Sequence, residues 1–145
     1  MAASGVVRVT IGTDHYHTDI SAGPHTVVAD EPKELGGTDN GPDPYALLLA
    51  SVGACKAITV RMYADRKQWP LDRIELALSH DRVHANDCDD CEAEDGLVSV
   101  IECDMTFHGN LDDEQRTRLL EIADKCPVQK TIAGHNHFRT TLSDA

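Results

Sequence analysis

Five cysteines and eight histidines hold the chain's nucleophilic and metal-ligating chemistry. Two of the cysteines stand in matching surroundings. Cys55 follows Leu48 by seven residues and Val52 by three, and Cys126 follows Leu119 by seven and Ile122 by four. At helical spacing each thiol shares an apolar face with those predecessors and points toward whatever that face packs on. A free cysteine so placed is usually a small buried hydrophobe. Two inward-facing thiols on separate helices suit a second role, in which one attacks a peroxide and the other resolves the sulfenic acid as a disulfide. Attack needs thiolate, and an ordinary thiol titrates at about 8.5. Cys55 lies about three turns into its helix, beyond the first turn over which the macrodipole acts. Lys56, adjacent in sequence, is expected to diverge in direction. The activating charge is therefore expected from Arg8, His15, His17 or His25, from Lys125 or Lys130, or from a partner chain.

The other thiol feature is Cys88-Asp89-Asp90-Cys91, with His84 four residues earlier. Such a C-x-x-C suits half a zinc site or a redox pair. A tetrahedral site needs a fourth ligand, with His108, Cys103 or a neighbouring chain as candidates. The surrounding acids (Asp87, Asp89, Asp90, Glu92) favour a cation and disfavour thiolate. Cys88, Cys91 and His84 thus stand as metal candidates only, and no metal is assigned. Cys103 falls in an alternating segment and reads as core. His15 with His17, and His135 with His137, are pairs two apart that read as solvent-facing. No H-E-x-x-H, G-x-S-x-G, phosphate-loop or dinucleotide pattern occurs, and nothing signals a cofactor.

The elements that must position these residues are legible from periodicity. Val7, Val9 and Ile11 alternate with polar neighbours as a strand. Gly12-Thr13-Asp14 turns into a second strand, Tyr16 to Ile20, and Ser21-Ala22-Gly23-Pro24 into a third, His25 to Asp30. A glycine- and proline-rich loop leads to Asp43, an N-cap, and Pro44, the first helical residue. The helix runs to about Asp65, roughly 33 Å at 1.5 Å per residue. It is apolar nearly all round its first four turns, so protein must surround it; later strands or a second subunit must do so. Ile74, Leu76 and Leu78 mark a fourth strand, Asn86 to Gly96 a loop, and Ile101, Cys103, Met105 and Phe107 a fifth. Asp112 with Gln115 resembles a capping box before a helix bearing Leu119, Ile122, Ala123 and Cys126. Pro127 restarts a short helix to Ala133, and His137 to Leu142 is a final strand. The order β-β-β-α-β-β-α-α-β is α+β, in a single domain over residues 1–145.

The formal net charge of −12 argues against a nucleic-acid partner. The first residues lack the basic start and apolar stretch of a secretory signal. Ser51, Lys56, Thr59 and Arg61 interrupt the most membrane-like segment, so a core helix is expected rather than a lipid span. An odd number of cysteines without a signal suggests reduced thiols in a cytosol.

Several segments together resemble the OsmC/Ohr family. They are Asp30-Glu31-Pro32 through Gly36-Gly37, Gly41-Pro42-Asp43-Pro44-Tyr45, Gly53-Ala54-Cys55, and Ile122-Ala123-Asp124-Lys125-Cys126-Pro127-Val128. The opening is similar to the OsmC-like branch of that family. The resemblance runs through almost the whole chain. It implies an interwoven homodimer with two central helices enclosed by sheets from both subunits, and an active site at the dimer interface. It implies that Cys55 attacks an organic hydroperoxide, that Cys126 closes the disulfide, and that an external dithiol reduces it. In such enzymes an arginine from the opening strands and a glutamate early in the central helix serve the reactive cysteine. Here Ala46 stands in the region of that glutamate, and Arg8 is the only arginine before Arg61. Two other readings accompany this one: a non-enzymatic protein of the same fold binding a small apolar ligand, and a dimer tethered by zinc at Cys88 and Cys91.

Overall fold

The computed structural model describes residues 5–88 and 96–145. The chain forms two compact units, residues 1–49 and 50–145. In the first, β1 (Val7–Ile11), β2 (Thr18–Ala22) and β3 (His25–Ala29) form an antiparallel meander in that order. Val9 pairs with Ile20, and Ile20 with Val27, so the apolar alternation lines one face. Gly23, at φ +60°, takes the left-handed corner between β2 and β3.

The second strand begins at Thr18, two residues later than the alternation suggested. The cause is the turn before it. His15 adopts φ +49°, and His17 N–H bonds to the Asp14 carbonyl at 3.2 Å. His15 and His17 therefore lie in a turn rather than on one strand face. Each pairs with a nearby carboxylate: His15 with Asp14 at 3.1 Å and His17 with Asp19 at 3.3 Å.

The loop after β3 is organised by Asp30. Its buried carboxylate accepts from Glu31 N–H at 2.8 Å, the Thr38 hydroxyl at 2.6 Å and Asn40 N–H at 3.1 Å. Glycine at 37 follows from this wrapping, since a Cβ there would collide with the Glu31 carbonyl. The loop delivers Asp43 to the start of α1 (Pro44–Lys67), where its carboxylate caps Ala46 N–H at 2.7 Å. Gln68 at φ +58° ends the helix, and Trp69 N–H returns to the Ala64 carbonyl at 2.9 Å.

In the second unit, β4 (Leu71–His84) and β5 (Leu97–Gly109) form a long antiparallel hairpin with Leu78 opposite Cys103. Next come α2 (Asp113–Ala123) and α3 (Pro127–Ala133). The capping box forms as its spacing predicts: Asp112 accepts from Gln115 N–H at 2.7 Å, and the Gln115 side chain accepts from Asp112 N–H at 2.9 Å. The core joins Val60 and Ala64 of α1 to Leu71, Leu111, Leu119, Ile122 and Ala123, with Trp69, Met105 and Phe107 against it. Nearer the start of α1, Gly53 lies so close to the hairpin that a Cβ would stand 2.8 Å from Leu78 Cδ1.

Two expectations are not met within a single chain. Helix α1 buries Val52, Lys56, Val60 and Ala64, one stripe at four-residue intervals, while Ala54, Ile58 and Met62 are exposed. A single copy of the chain covers one side of this helix, not its whole circumference. The final strand, His137 to Leu142, does not form. Residues 135–145 carry no regular structure, and Phe138 and Leu142 are exposed. A strand exists only by pairing, and β4 and β5 pair with each other alone among the described residues. The observed order is β-β-β-α-β-β-α-α, an α+β fold.

Candidate active site

Cys55 and Cys126 meet in the second unit. Cys55 is buried on α1, within one turn of Val52 and Gly53. Cys126 is fully buried at the corner between α2 and α3. Proline makes that corner. A proline disfavours helical geometry in the residue before it, and its fixed φ suits the first position of a new helix. Cys126 accordingly takes φ −55° and ψ 124°, and α3 begins at Pro127. The thiol does the work of a serine or aspartate cap, with its Sγ accepting from Gln129 N–H at 3.4 Å.

Burial, followed by interaction with the neighbouring Cys55 side chain, pushes the Cys126 thiol above its ordinary range. The backbone N–H groups of Gln129 and Val128 pull the other way without reversing it. At neutral pH Cys126 is therefore a protonated thiol. The arrangement is chemically suited to a dithiol–disulfide cycle: two sulfurs in one buried place, on elements more than seventy residues apart in sequence.

Lys56 departs from expectation. Its side chain is 7% exposed, and its ammonium donates to the Ala123 carbonyl at 3.3 Å and to Asp124 Oδ1 at 3.1 Å. Adjacent residues on a helix do diverge, but a four-carbon stem is long enough to bring its head back beneath the neighbouring turn. The signal for this in sequence was a lone lysine in an otherwise apolar stretch. Lys125 and Lys130, the cations nearest Cys126 in sequence, are exposed. Arg8 and His25 lie on β1 and β3 of the first unit. The first turn of α1 contains no acidic residue, and Ala46 bonds there to the Asp43 cap.

Cys103 is half-buried on β5, where burial pushes its thiol up and the Lys56 cation partly offsets this. His84 ends β4, exposed, and Cys88 is disulfide-bonded rather than a free thiol. That state departs from the expectation of reduced cysteines throughout. Cys91 lies outside the described residues. Free thiols are found at Cys55, Cys103 and Cys126. His108, the suggested fourth metal ligand, bonds instead to Glu75 at 2.7 Å.

The sequence model of the OsmC-like protein family matches residues 37–141, which include both buried cysteines. The chain belongs to the OsmC-like family. No curated protein sequence matches it. Among solved structures, it is similar to the OsmC-like protein from Mycoplasma pneumoniae, with a TM-score of 0.72 at 20% identity over 92% of this chain and 90% of that one. It is similar to the organic hydroperoxide resistance protein OsmC from Legionella pneumophila, at 0.64 and 19% over 92% and 91%. The organic hydroperoxide resistance protein OhrB of Bacillus subtilis matches at 0.59 and 18% over 89% and 90%. At these identities the likeness establishes the fold. Helix α1 has the length and apolarity of a membrane span; its Val60 and Ala64 are instead part of the packed core of this OsmC-like chain.

Proposed function

We propose that this protein is a thiol-dependent reductase of organic hydroperoxides, with a role in peroxide stress. The observation that carries the proposal is the buried, interacting pair of Cys55 and Cys126 in an OsmC-like chain. The names of the Legionella and Bacillus relatives support the substrate class. Cys55 thiolate attacks the hydroperoxide; the O–O bond breaks, the alcohol leaves with a proton, and Cys55 becomes sulfenic acid. Cys126 sulfur then attacks the sulfenic sulfur, water leaves, and a disulfide closes. An external dithiol takes up the disulfide and restores both thiols. The raised Cys126 thiol supports this division of labour, because a protonated sulfur is spared direct attack on peroxide.

The working unit in this reading is a homodimer. Ile58 and Met62 leave an apolar stripe open on α1, beside an open groove of about 500 Å³ lined by Ala57, Arg61 and Ile74. A second copy would cover it, as the family resemblance implies. The free thiols among the described residues, at Cys55, Cys103 and Cys126, suit a reducing compartment such as the cytosol.

The test is consumption of cumene hydroperoxide with a dithiol or lipoamide as reductant. Wild type should turn over, and Cys55→Ser should abolish turnover. Cys126→Ser should consume one peroxide per chain to give Cys55 sulfenic acid and then stall, with excess peroxide consuming a second equivalent as sulfinic acid. In single-turnover experiments the closing of the disulfide should speed up as pH rises through neutrality, approaching about tenfold per unit while Cys126 stays mostly protonated. No turnover in wild type, or turnover indifferent to Cys55→Ser, would leave a non-enzymatic binder of this fold as the better reading.

A further inference from the structure

Lys56 occupies an expensive position. Taking an ammonium out of water costs several kcal/mol unless strong partners compensate, and here the carboxylate partner, Asp124, is itself 71% exposed. A methionine would fill the same buried space with no charge to desolvate. The acceptors show what the charge connects. The Ala123 carbonyl, at the end of α2, receives the Lys56 ammonium at 3.3 Å and the backbone N–H of Cys126 at 3.3 Å. One oxygen thus joins the residue after Cys55 to the backbone of Cys126. Asp124, the C-cap of α2, takes the second ammonium bond. A cation is well placed at a helix C-terminus, where the carbonyls lack partners.

We propose that Lys56 is a positioning residue that ties α1 to the α2–α3 corner and so holds the Cys126 thiol against Cys55. The inference rests on reading these cysteines as a dithiol pair. Its physical content is effective concentration. Cys126 belongs to a corner with only two residues, Asp124 and Lys125, between α2 and its own cap position. The Lys56 bonds fix that corner to the turn of α1 bearing the reactive sulfur. Without them the corner samples other positions, the sulfurs meet less often, and the intramolecular disulfide becomes less favourable relative to an external one. Lys56 touches neither sulfur, so the loss appears in the disulfide equilibrium rather than in reactivity toward peroxide.

The experiment equilibrates the reduced protein with mixtures of oxidised and reduced dithiothreitol at pH 7, without peroxide. The Cys55–Cys126 disulfide is then quantified by alkylation and peptide mapping, which separates it from any bond involving Cys88, Cys91 or Cys103. In this exchange two protein thiols are oxidised while one dithiothreitol disulfide is reduced. Lys56→Met should lower the equilibrium constant by about tenfold, close to 30 mV for a two-electron couple. Lys56→Arg, which keeps a donor at the corner, should recover most of it. Asp124→Ala lies at the exposed end of the tether and leaves the cation in place, so it remains informative if Lys56→Met fails to fold. It should lower the constant in the same direction by about threefold, a loss that charge removal at Lys56 cannot explain. Constants within twofold of wild type in the folded variants overturn the inference alone. Absence of the Cys55–Cys126 disulfide in wild type overturns the dithiol reading and the inference with it.

Discussion

Leu119 is the side chain on which the delivery of Cys126 depends most. It is fully buried in the cluster joining α1, α2 and the hairpin, and it lies on α2 seven residues before Cys126 in the corner that follows. Leu119→Ala removes three heavy atoms from a site with α1 and α2 packed on it. Collapse is resisted by Val60 and Ala64, which belong to a helix anchored along its length. The expected loss is about 3 kcal/mol, within the range of roughly 2–5 for such truncations. Against a total of about 5–15 kcal/mol this is a large fraction. At roughly 3 °C per kcal/mol for a chain of this size, the melting midpoint should fall by about 10 °C. The neighbouring Leu120→Ala is the control. Leu120 is 54% exposed, so its truncation should stay within about 0.5 kcal/mol. Urea titration of both variants at one fixed protomer concentration, with equal m-values, gives the comparison. Equal losses, or less than about 1 kcal/mol at Leu119, would refute the placement of the core and of the corner it supports.

Two further outcomes are expected. The hydrogen bonds from Thr38, Glu31 and Asn40 hold the Asp30 carboxyl down at about 2, against 3.8 for the free group. A depressed carboxyl stabilises the fold above the unfolded value, so this stability should be present at pH 5 and fade between about 4 and 2. Asp30→Asn should flatten that acid limb in denaturation measured across pH 2–6, and an unchanged limb would contradict the role given to Asp30. On α1, Ile58→Asp places a charge on the exposed apolar stripe; sedimentation should show wild type at twice the protomer mass and the variant as protomers. A monomeric wild type would remove the dimer.

The fold was legible wherever local chemistry dictates it. The Asp43-Pro44 start of α1, the Asp112–Gln115 box and the Cys126-Pro127 break all depend on residues within a few positions of each other, and each forms as its spacing implies. The misreadings are of two physical kinds. One is backbone state: nothing in Thr13 to His17 distinguishes a strand start from a turn until His15 adopts a positive φ. The other is long-range. A strand at His137 to Leu142 requires a partner edge that local sequence cannot supply. The direction of the Lys56 ammonium depends on carbonyls 67 residues away. The candidate site was half visible. Helical spacing placed Cys55 correctly, whereas Cys126 is buried at a corner beyond the end of α2 rather than on the helix expected, and the cation beside their scaffold had no such signal.

The closeness of the two thiols also bears on the order of the proposed cycle. Two influences raise the Cys126 thiol: burial, and the neighbouring Cys55. Burial is constant through the cycle, but the second influence is not. While Cys55 is a thiolate, its negative charge makes a second anion alongside costly. Oxidation of Cys55 to sulfenic acid removes that charge and leaves an electrophile in its place. The backbone N–H groups of Val128 and Gln129, which already favour Cys126 thiolate, then act with less opposition. The resolving sulfur is thus restrained until it has a target, and the first chemical step lifts part of the restraint. A cysteine pair with both thiols equally low would gain no such order, since either sulfur would be free to meet peroxide first.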